Sequence, residues 1–570
     1  MRNHTSDTIK SEIIAPPLKD EQGIGPLTLP GFLRKASSDF ADHEALCWTD
    51  PQGQRHSWTY RQFAAESRRV ARSLLALGLG KNARVGILIS NRPEWLFAAF
   101  GITMVGGVAV ALNTFSTSHE LRHQLDHADV QLLLMESGVA SKNFIEDLRS
   151  LCPELDSATP GELLSPGLPY LRRIACIDPP QSPPGGLESW ATFLAHGDRF
   201  PEPILDRVMD TVSPVDQGLI FFSSGSTALP KAILQTHRAA TLQCWRFGKV
   251  FEVDGHSRAL PANGFFFSGN FAQAVAFLGR GGCLVLQRFF EPDKALQLLQ
   301  TERVTSVLAW LHQEARLQEC AGWNDADLSS LRYVSFHSIF RQHPTVSTDW
   351  KGYQAHGMTE TFTITSVTHG DDFKPGSFGP ILPGNTVRII DPDSGKTLPL
   401  GETGEILVKG PTTMLGYLKV PAEETFDAEG FIHTGDAGYL GEDGHLYWKG
   451  RLNDIIKTGG ANVSPTEIDD VIAGHPGVQS CCTVGVDDAQ LGERVVSCIV
   501  PLDGQSLSTE DIRQFARQFL AAYKVPKTIL FMTEKELPMT GSAKVRRADV
   551  KAMVTRRLAA DAQAVPNDHP

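Results

Sequence analysis

The stretch Ser223-Ser224-Gly225-Ser226-Thr227-Ala228-Leu229-Pro230-Lys231 follows directly on an apolar run, Gly218 to Phe222, that reads as a strand. Small hydroxyl side chains gathered around a glycine supply clustered backbone N–H and side-chain O–H donors, which is what a polyphosphate needs. Lys231 adds a compact positive charge that can reach the outer phosphates. The stretch is not the common nucleotide loop ending in Gly-Lys-Ser/Thr, because Lys231 follows Pro230 and no hydroxyl residue follows it. A P-loop kinase is therefore disfavoured. Taken alone, the same residues read equally well as a solvated connection between two elements.

The elements that must position this loop alternate between strand and helix. Thr59 and Gln62 form a capping box, and Phe63, Val70, Ala71, Leu74 and Leu75 then recur at helical spacing until Gly78. Arg84 to Ile89 reads as a strand, Pro93 as the first residue of a helix running toward Gly106, and Val108 to Leu112 as another strand. A helix over Ser118 to His127 and a strand over Val130 to Met135 continue the rhythm. Such alternation predicts parallel sheets covered on both faces. The proline- and glycine-rich residues from about Ser157 to Gly197 read as a surface excursion. Near Gly435 to Gly444, short strands with Gly-Asp and Asp-Gly turns suit a small antiparallel subdomain. Strands over Ser480 to Val486 and Val495 to Pro501, with an amphipathic helix from Ser508 to Ala522, mark a second domain. Residues 1–25 and 559–570 read as disordered tails.

The chain has 570 residues, enough for at least two cores, and a formal net charge of −12 with no long basic run. Nucleic acid is thus a poor partner. No stretch approaches the roughly 20 uninterrupted apolar residues of a bilayer span, and the N-terminus lacks the apolar core of a secretory signal. Nine scattered cysteines without a Cys-x-x-Cys predict reduced thiols and a cytoplasmic setting.

The loop has companions in a fixed order. After Ser223 to Lys231 come His356-Gly357-Met358-Thr359-Glu360-Thr361, then Gly430-Phe431-Ile432-His433-Thr434-Gly435-Asp436, then Gly450-Arg451-Leu452-Asn453-Asp454-Ile455-Ile456-Lys457, and last Pro538-Met539-Thr540-Gly541-Ser542-Ala543-Lys544-Val545-Arg546-Arg547. This ordered set closely resembles the adenylate-forming superfamily of acyl-CoA synthetases, luciferases and peptide-synthetase adenylation domains. The resemblance extends from about Leu29 to Leu558.

The resemblance implies an α/β protein. Its N-terminal AMP-binding domain, residues 26–452, would hold two parallel-rich layered sheets and a small antiparallel subdomain, with a mobile α+β lid over 453–558. It implies ATP, Mg²⁺ and coenzyme A as cofactors, with a carboxylic acid as substrate. Ser223, Ser224, Gly225, Ser226, Thr227, Lys231, His356, Gly357, Thr359, Asp436 and Arg451 would bind the nucleotide. Glu360 would hold the metal, since a hard cation takes a carboxylate oxygen, and Asp436 would accept from the ribose hydroxyls. Glu360, Thr227 and Lys544 form the implied catalytic set, with the Lys544 ammonium bridging the attacking carboxylate and the α-phosphate. The lid would turn at Asn453 to present Lys457, Gly459 and Gly460 to coenzyme A.

The chain also departs from the family pattern. Alanine stands at 228, 232 and 543 where glycine is usual, His356 replaces an aromatic residue, and Asn453 stands where the hinge is usually Asp or Lys. Ser335-Phe336-His337-Ser338 replaces a small Gly-Gly-Ala-like turn. By resemblance, Phe265, Phe267, Gly269, Trp310 and His337 line the acyl pocket, which predicts a hydrophobic monocarboxylate: fatty, alicyclic or aromatic. The leading reading is an AMP-forming carboxylate–CoA ligase without integral membrane association, monomeric or homodimeric. The alternatives are an acyl-AMP ligase that loads a carrier protein, and a nucleotide-binding pseudoenzyme.

Overall fold

A computed structural model describes residues 10–223, 230–335, 338–458, 461–488, 491–520, 524–538 and 545–563. The chain divides into two compact units. The larger comprises residues 13–387 and 408–432; the smaller comprises 1–12, 388–407 and 433–570.

The larger unit is built on two sheets. One has eight strands in the order Leu187–Ser189, Arg173–Cys176, Leu132–Met135, Arg84–Leu88, Val108–Ala111, Gln217–Phe222, Ala232–Thr236, Gly416–Tyr417. The first six run parallel, and the last two joints are antiparallel. Side chains alternate across this sheet as the two-residue period requires. Val85, Ile87, Ala109, Leu132 and Leu134 enter one core, while Leu88, Val108, Val110, Leu133 and Met135 enter another. The second sheet runs Ser306–Leu308, Arg258–Pro261, Cys283–Leu286, Glu44–Thr49, Arg55–Thr59, parallel except at its final pair. Helices Tyr60–Ala76, Pro93–Met104, His237–Val250 and Ser268–Leu278 share one continuous core with residues of both sheets. Burial on all sides explains why Pro93–Met104 is apolar around its whole circumference.

The expected elements form where their local signals lie. The Thr59–Gln62 capping box is reciprocal, with Gln62 N donating to Thr59 Oγ1 at 3.2 Å and Thr59 N to Gln62 Oε1 at 2.8 Å. Pro93 opens its helix, and Ser118–His127 is helical behind a Thr117 cap.

Two expectations need correction. Residues 157–197 are more than a surface excursion: they add strands Arg173–Cys176 and Leu187–Ser189 to the edge of the large sheet, with Leu163, Leu168 and Ile174 buried. Residues 10–25 do not form a tail. Ser11 and Ala15 are buried, Ala15 N donates to Asn385 O at 3.0 Å, and Glu21 pairs with buried Arg246 at 2.8 Å. Backbone pairing and one buried ion pair hold this segment, and neither leaves a hydrophobic period in the sequence.

The smaller unit carries the antiparallel hairpin of Ile432–Leu440 and Leu446–Arg451. Beyond it lies a sheet in which Val478–Asp488 pairs with Gly492–Pro501, flanked by Ile456–Thr458, Ala461–Val463 and Thr528–Phe531. Helices Pro465–Ala473, Thr509–Ala516 and Arg547–Gln563 accompany it, so the last helix runs past the expected end of the fold at 558. Ser508 caps the second of these with a reciprocal Asp511 box.

Candidate active site

Strands Gln217–Phe222 and Ala232–Thr236 are antiparallel neighbours, with Phe222 opposite Ala232. The phosphate loop therefore closes a hairpin, its base tied by Ser223 N donating to Lys231 O at 3.0 Å. Ser224, Gly225, Ser226 and Thr227 lie outside the described residues. Lys231 is exposed, and its Nζ stands 4.7 Å from the centroid of the Tyr417 ring. Tyr417, one strand further along, faces Ile233 in register and donates its hydroxyl to Glu360 Oε1 at 2.8 Å. One tyrosine thus touches both the loop cation and a buried carboxylate.

Glu360 sits in a short turn between two antiparallel strands, Tyr353–Met358 and Thr363–His369. Met414 N donates to Glu360 O at 2.7 Å, and Gln235 Nε2 to Thr359 O at 2.6 Å. The turn needs unusual backbone. Phe362 and Thr363 have φ of 45° and 86°, and left-handed conformations cost residues such as these about 1–3 kcal/mol each. The Phe362 ring offsets this by packing against Phe221 at 5.6 Å and Phe271 at 6.3 Å. Phe221 belongs to the strand entering the phosphate loop, so the aromatic cluster joins that strand to the Glu360 turn. A Cβ on Gly357 would lie 1.4 Å from Thr363 O, and the position admits only glycine. His356 is buried, its Nδ1 hydrogen-bonded to Thr365 Oγ1 at 3.1 Å.

The acyl-pocket residues divide. Phe265 is buried against Trp95 at 5.2 Å and belongs to the core. Phe267 packs on Trp310 at 5.3 Å, and a Cβ on Gly269 would meet nothing nearer than Thr363 Cγ2 at 3.9 Å. His337 lies outside the described residues. A separate cavity of about 120 Å³ has a lining that includes Gln273, Leu308, Glu314, Ser335, Ser338 and Tyr353 and, among the described residues, none of the expected acyl-pocket residues. Glu314 is not among the expected residues. Burial pushes its carboxyl up to about 7, the Ser338 hydroxyl and Ile339 N–H drawing it only partway back. Its position three residues before fully buried Leu317, on the inner face of helix Leu311–Gln318, is the signal that could have found it.

In the smaller unit, Asp436 and Arg451 face each other across the hairpin. Arg451 Nε lies 3.2 Å from Asp436 Oδ1, and its Nη1 donates to Thr434 O at 2.8 Å. Asp436 N in turn donates to Thr434 Oγ1 at 3.0 Å, and that hydroxyl donates to Ile406 O at 2.6 Å. Gly435, with φ of 67°, donates its N–H to Glu405 Oε1 at 3.2 Å. Asn453 occupies the single turn Leu452–Asp454, and Asp454 is held by Arg547 at 3.6 Å. Arg547 also pairs with half-buried Asp469. Lys457 is exposed on its strand, with its N–H on Glu493 Oε2 at 2.7 Å. Burial would raise the Glu493 carboxyl, but Lys551 and the Lys457 N–H hold it below its ordinary range. Gly459, Gly460 and Lys544 lie outside the described residues. Among the described residues, no helix is long and apolar enough to cross a membrane.

The sequence profile of AMP-binding enzymes matches residues 33–418, and that of the AMP-binding enzyme C-terminal domain matches residues 467–544. A feruloyl-CoA synthase of Amycolatopsis is 30% identical over 514 residues, 87% of this chain and 94% of that protein. An indoleacetate–CoA ligase of Aromatoleum aromaticum is 29% identical over 508 residues, covering 88% and 94%. In fold, the chain is similar to the anthranilate CoA ligase AuaEII in complex with anthranoyl-AMP, with a TM-score of 0.76, 24% identity, and coverage of 94% and 99%. The chain belongs to the AMP-binding enzyme family and stands within it among the AMP-forming acyl-CoA ligases.

Proposed function

We propose that this chain activates a hydrophobic monocarboxylic acid, best an aromatic one, with Mg-ATP, and passes the acyl group to coenzyme A. A carboxylate oxygen attacks the α-phosphorus and pyrophosphate leaves; the coenzyme A sulfur then attacks the acyl carbonyl and AMP leaves. The observation that carries this reading is Tyr417, which touches both Lys231 and the Glu360 carboxylate. An exposed ammonium and a buried, oriented carboxylate flanking a hydroxyl-rich loop suit a triphosphate and its counter-ion.

Glu360 fits magnesium, offering the one hard protein oxygen that a cation otherwise bound by phosphate and water takes. When bound, the ion neutralises charge on the triphosphate. Lys231 reaches the outer phosphates. Asp436, its backbone fixed through Thr434, accepts from the ribose hydroxyls. Arg451 orients Asp436 and contacts the nucleotide. Lys544 carries its ammonium to the attacking carboxylate during adenylation and is withdrawn before thiol transfer. Asp454, tied by Arg547 to the sheet beyond it, supports a turning point at Asn453. The names of the relatives that act on ferulate and indoleacetate favour an aryl acid over a fatty one.

The test is incubation with ATP, Mg²⁺ and a panel of aryl and fatty acids, following pyrophosphate release and coenzyme A thioester. The expected result is both products from aryl acids. Pyrophosphate without coenzyme A consumption would move the acceptor to a carrier protein, and no pyrophosphate from any acid would overturn the ligase reading.

A further inference from the structure

Helix Ser118–His127 belongs to none of the ordered motifs, yet its second half reaches the end of the phosphate loop. His123, half-buried on that helix, has its Nε2 3.0 Å from Pro230 O. A carbonyl oxygen can only accept, so Nε2 carries the hydrogen whether the ring is neutral or charged. Pro230 immediately precedes Lys231, and the Lys231 carbonyl is tied in turn, accepting from Ser223 N at 3.0 Å. The peptide groups on both sides of Lys231 are thus held. Ser223 at the base of the loop holds one, and a side chain 107 residues from Pro230 holds the other.

The same helix end supports the strand that carries Tyr417. The His127 ring stacks on His123, with centroids 5.0 Å apart and 18° between the planes. Burial keeps the His127 imidazole below its ordinary range, with His123 and Lys419 adding to the effect, so the two rings meet without like-charge repulsion. Just past the helix, Asp129 Oδ1 accepts from Lys419 Nζ at 2.9 Å. Leu418 N donates to Ala232 O at 2.9 Å, beside Lys231. Lys231 therefore has its backbone placed by His123 and its ammonium placed over the Tyr417 ring. Its ammonium rides on a flexible four-carbon stem, so an error in the backbone is carried out to the charge.

We infer that His123 is a positioning residue for ATP: through Pro230 O it fixes the backbone of Lys231 and so sets the grip on the outer phosphates. This rests on the Mg-ATP reading above, and the experiment separates the two. Mg-ATP and AMP are titrated calorimetrically into wild type, H123L and H123Q, with pyrophosphate release from the acid panel followed in parallel. AMP lacks the outer phosphates and reports a merely loosened fold. Glutamine carries its amide nitrogen as many bonds from Cα as His Nε2, so H123Q can remake the bond to Pro230 O.

H123L should bind Mg-ATP about 5–10-fold more weakly, the worth of one such hydrogen bond, and should bind AMP as wild type does. H123Q should recover most of the loss. Unchanged Mg-ATP affinity in H123L, equal weakening for ATP and AMP, or no recovery in H123Q would each overturn the inference, whatever pyrophosphate is released. The expected shifts without pyrophosphate from any acid would uphold the inference and overturn the ligase reading. A wild type that binds neither nucleotide would overturn both.

Discussion

Replacing Glu314 by glutamine tests the burial of this carboxyl without any substrate. Burial raises its pKa from the ordinary 4.5 to about 7. The folded chain then holds the proton more tightly than the unfolded chain, so between these values stability falls as pH rises. The ionised form is fully penalised above pH 7, and the penalty vanishes below 4.5. Integrating the linkage from pH 5 to pH 8 gives a loss of about 2.5 kcal/mol from this group alone. Glutamine is neutral throughout and cannot contribute it. Asp469, which burial also pushes up to about 7, is present in both proteins and cancels in the comparison. The assay is the thermal midpoint of wild type and E314Q at pH 5 and at pH 8. Whatever the offset at pH 5, E314Q should gain on wild type by about 3–5 °C at pH 8, taking about 1–2 °C per kcal/mol for a unit this long. An offset independent of pH, or one moving the other way, would show that the carboxyl is solvated in the folded chain.

Three further outcomes follow from the geometry. Tyr417→Phe keeps the ring beside Lys231 but removes the hydroxyl that orients Glu360, and should lower adenylation about 10-fold with a raised KM for Mg-ATP, read by pyrophosphate release. Gly357→Ala places a Cβ 1.4 Å from Thr363 O and should abolish soluble expression, whereas Gly269→Ala, with its nearest contact at 3.9 Å, should fold as judged by circular dichroism. Lys544→Ala should lower adenylation by about 10²–10³ while sparing thioester formation from synthetic acyl-AMP; equal loss in both steps would refute the two-orientation account.

Much of the larger unit was legible because its signals are local. Parallel strands buried on both faces read as short apolar runs, and Val108–Ala111 and Leu132–Met135 lie within the runs that announce them. Caps at Thr59, Thr117 and Ser508 mark helix starts through side chains that answer their own backbone. Residues 10–25 and 157–197 escaped this logic. The first is held by partners as distant as Arg246 and Asn385, and the second hides two edge strands among prolines. Composition reports neither, because both depend on what the rest of the chain offers.

The same division separates the chemistry from the specificity. Glu360 sits in a tight turn and Asp436 in a strand just after Gly435, and both depend on glycines and hydroxyls adjacent in sequence, so their neighbourhoods are readable as motifs. Tyr417 lies 57 residues from the carboxylate it orients and sits in a two-residue strand, with nothing local to announce it. Glu314 is harder still, an ordinary polar residue on a short helix until Leu308, Ser338 and Tyr353 enclose it. Phosphate contacts serve one invariant group, whereas an acyl pocket is assembled from whichever side chains distant segments bring together. A reading of this chain by motif therefore reaches the nucleotide before the acid.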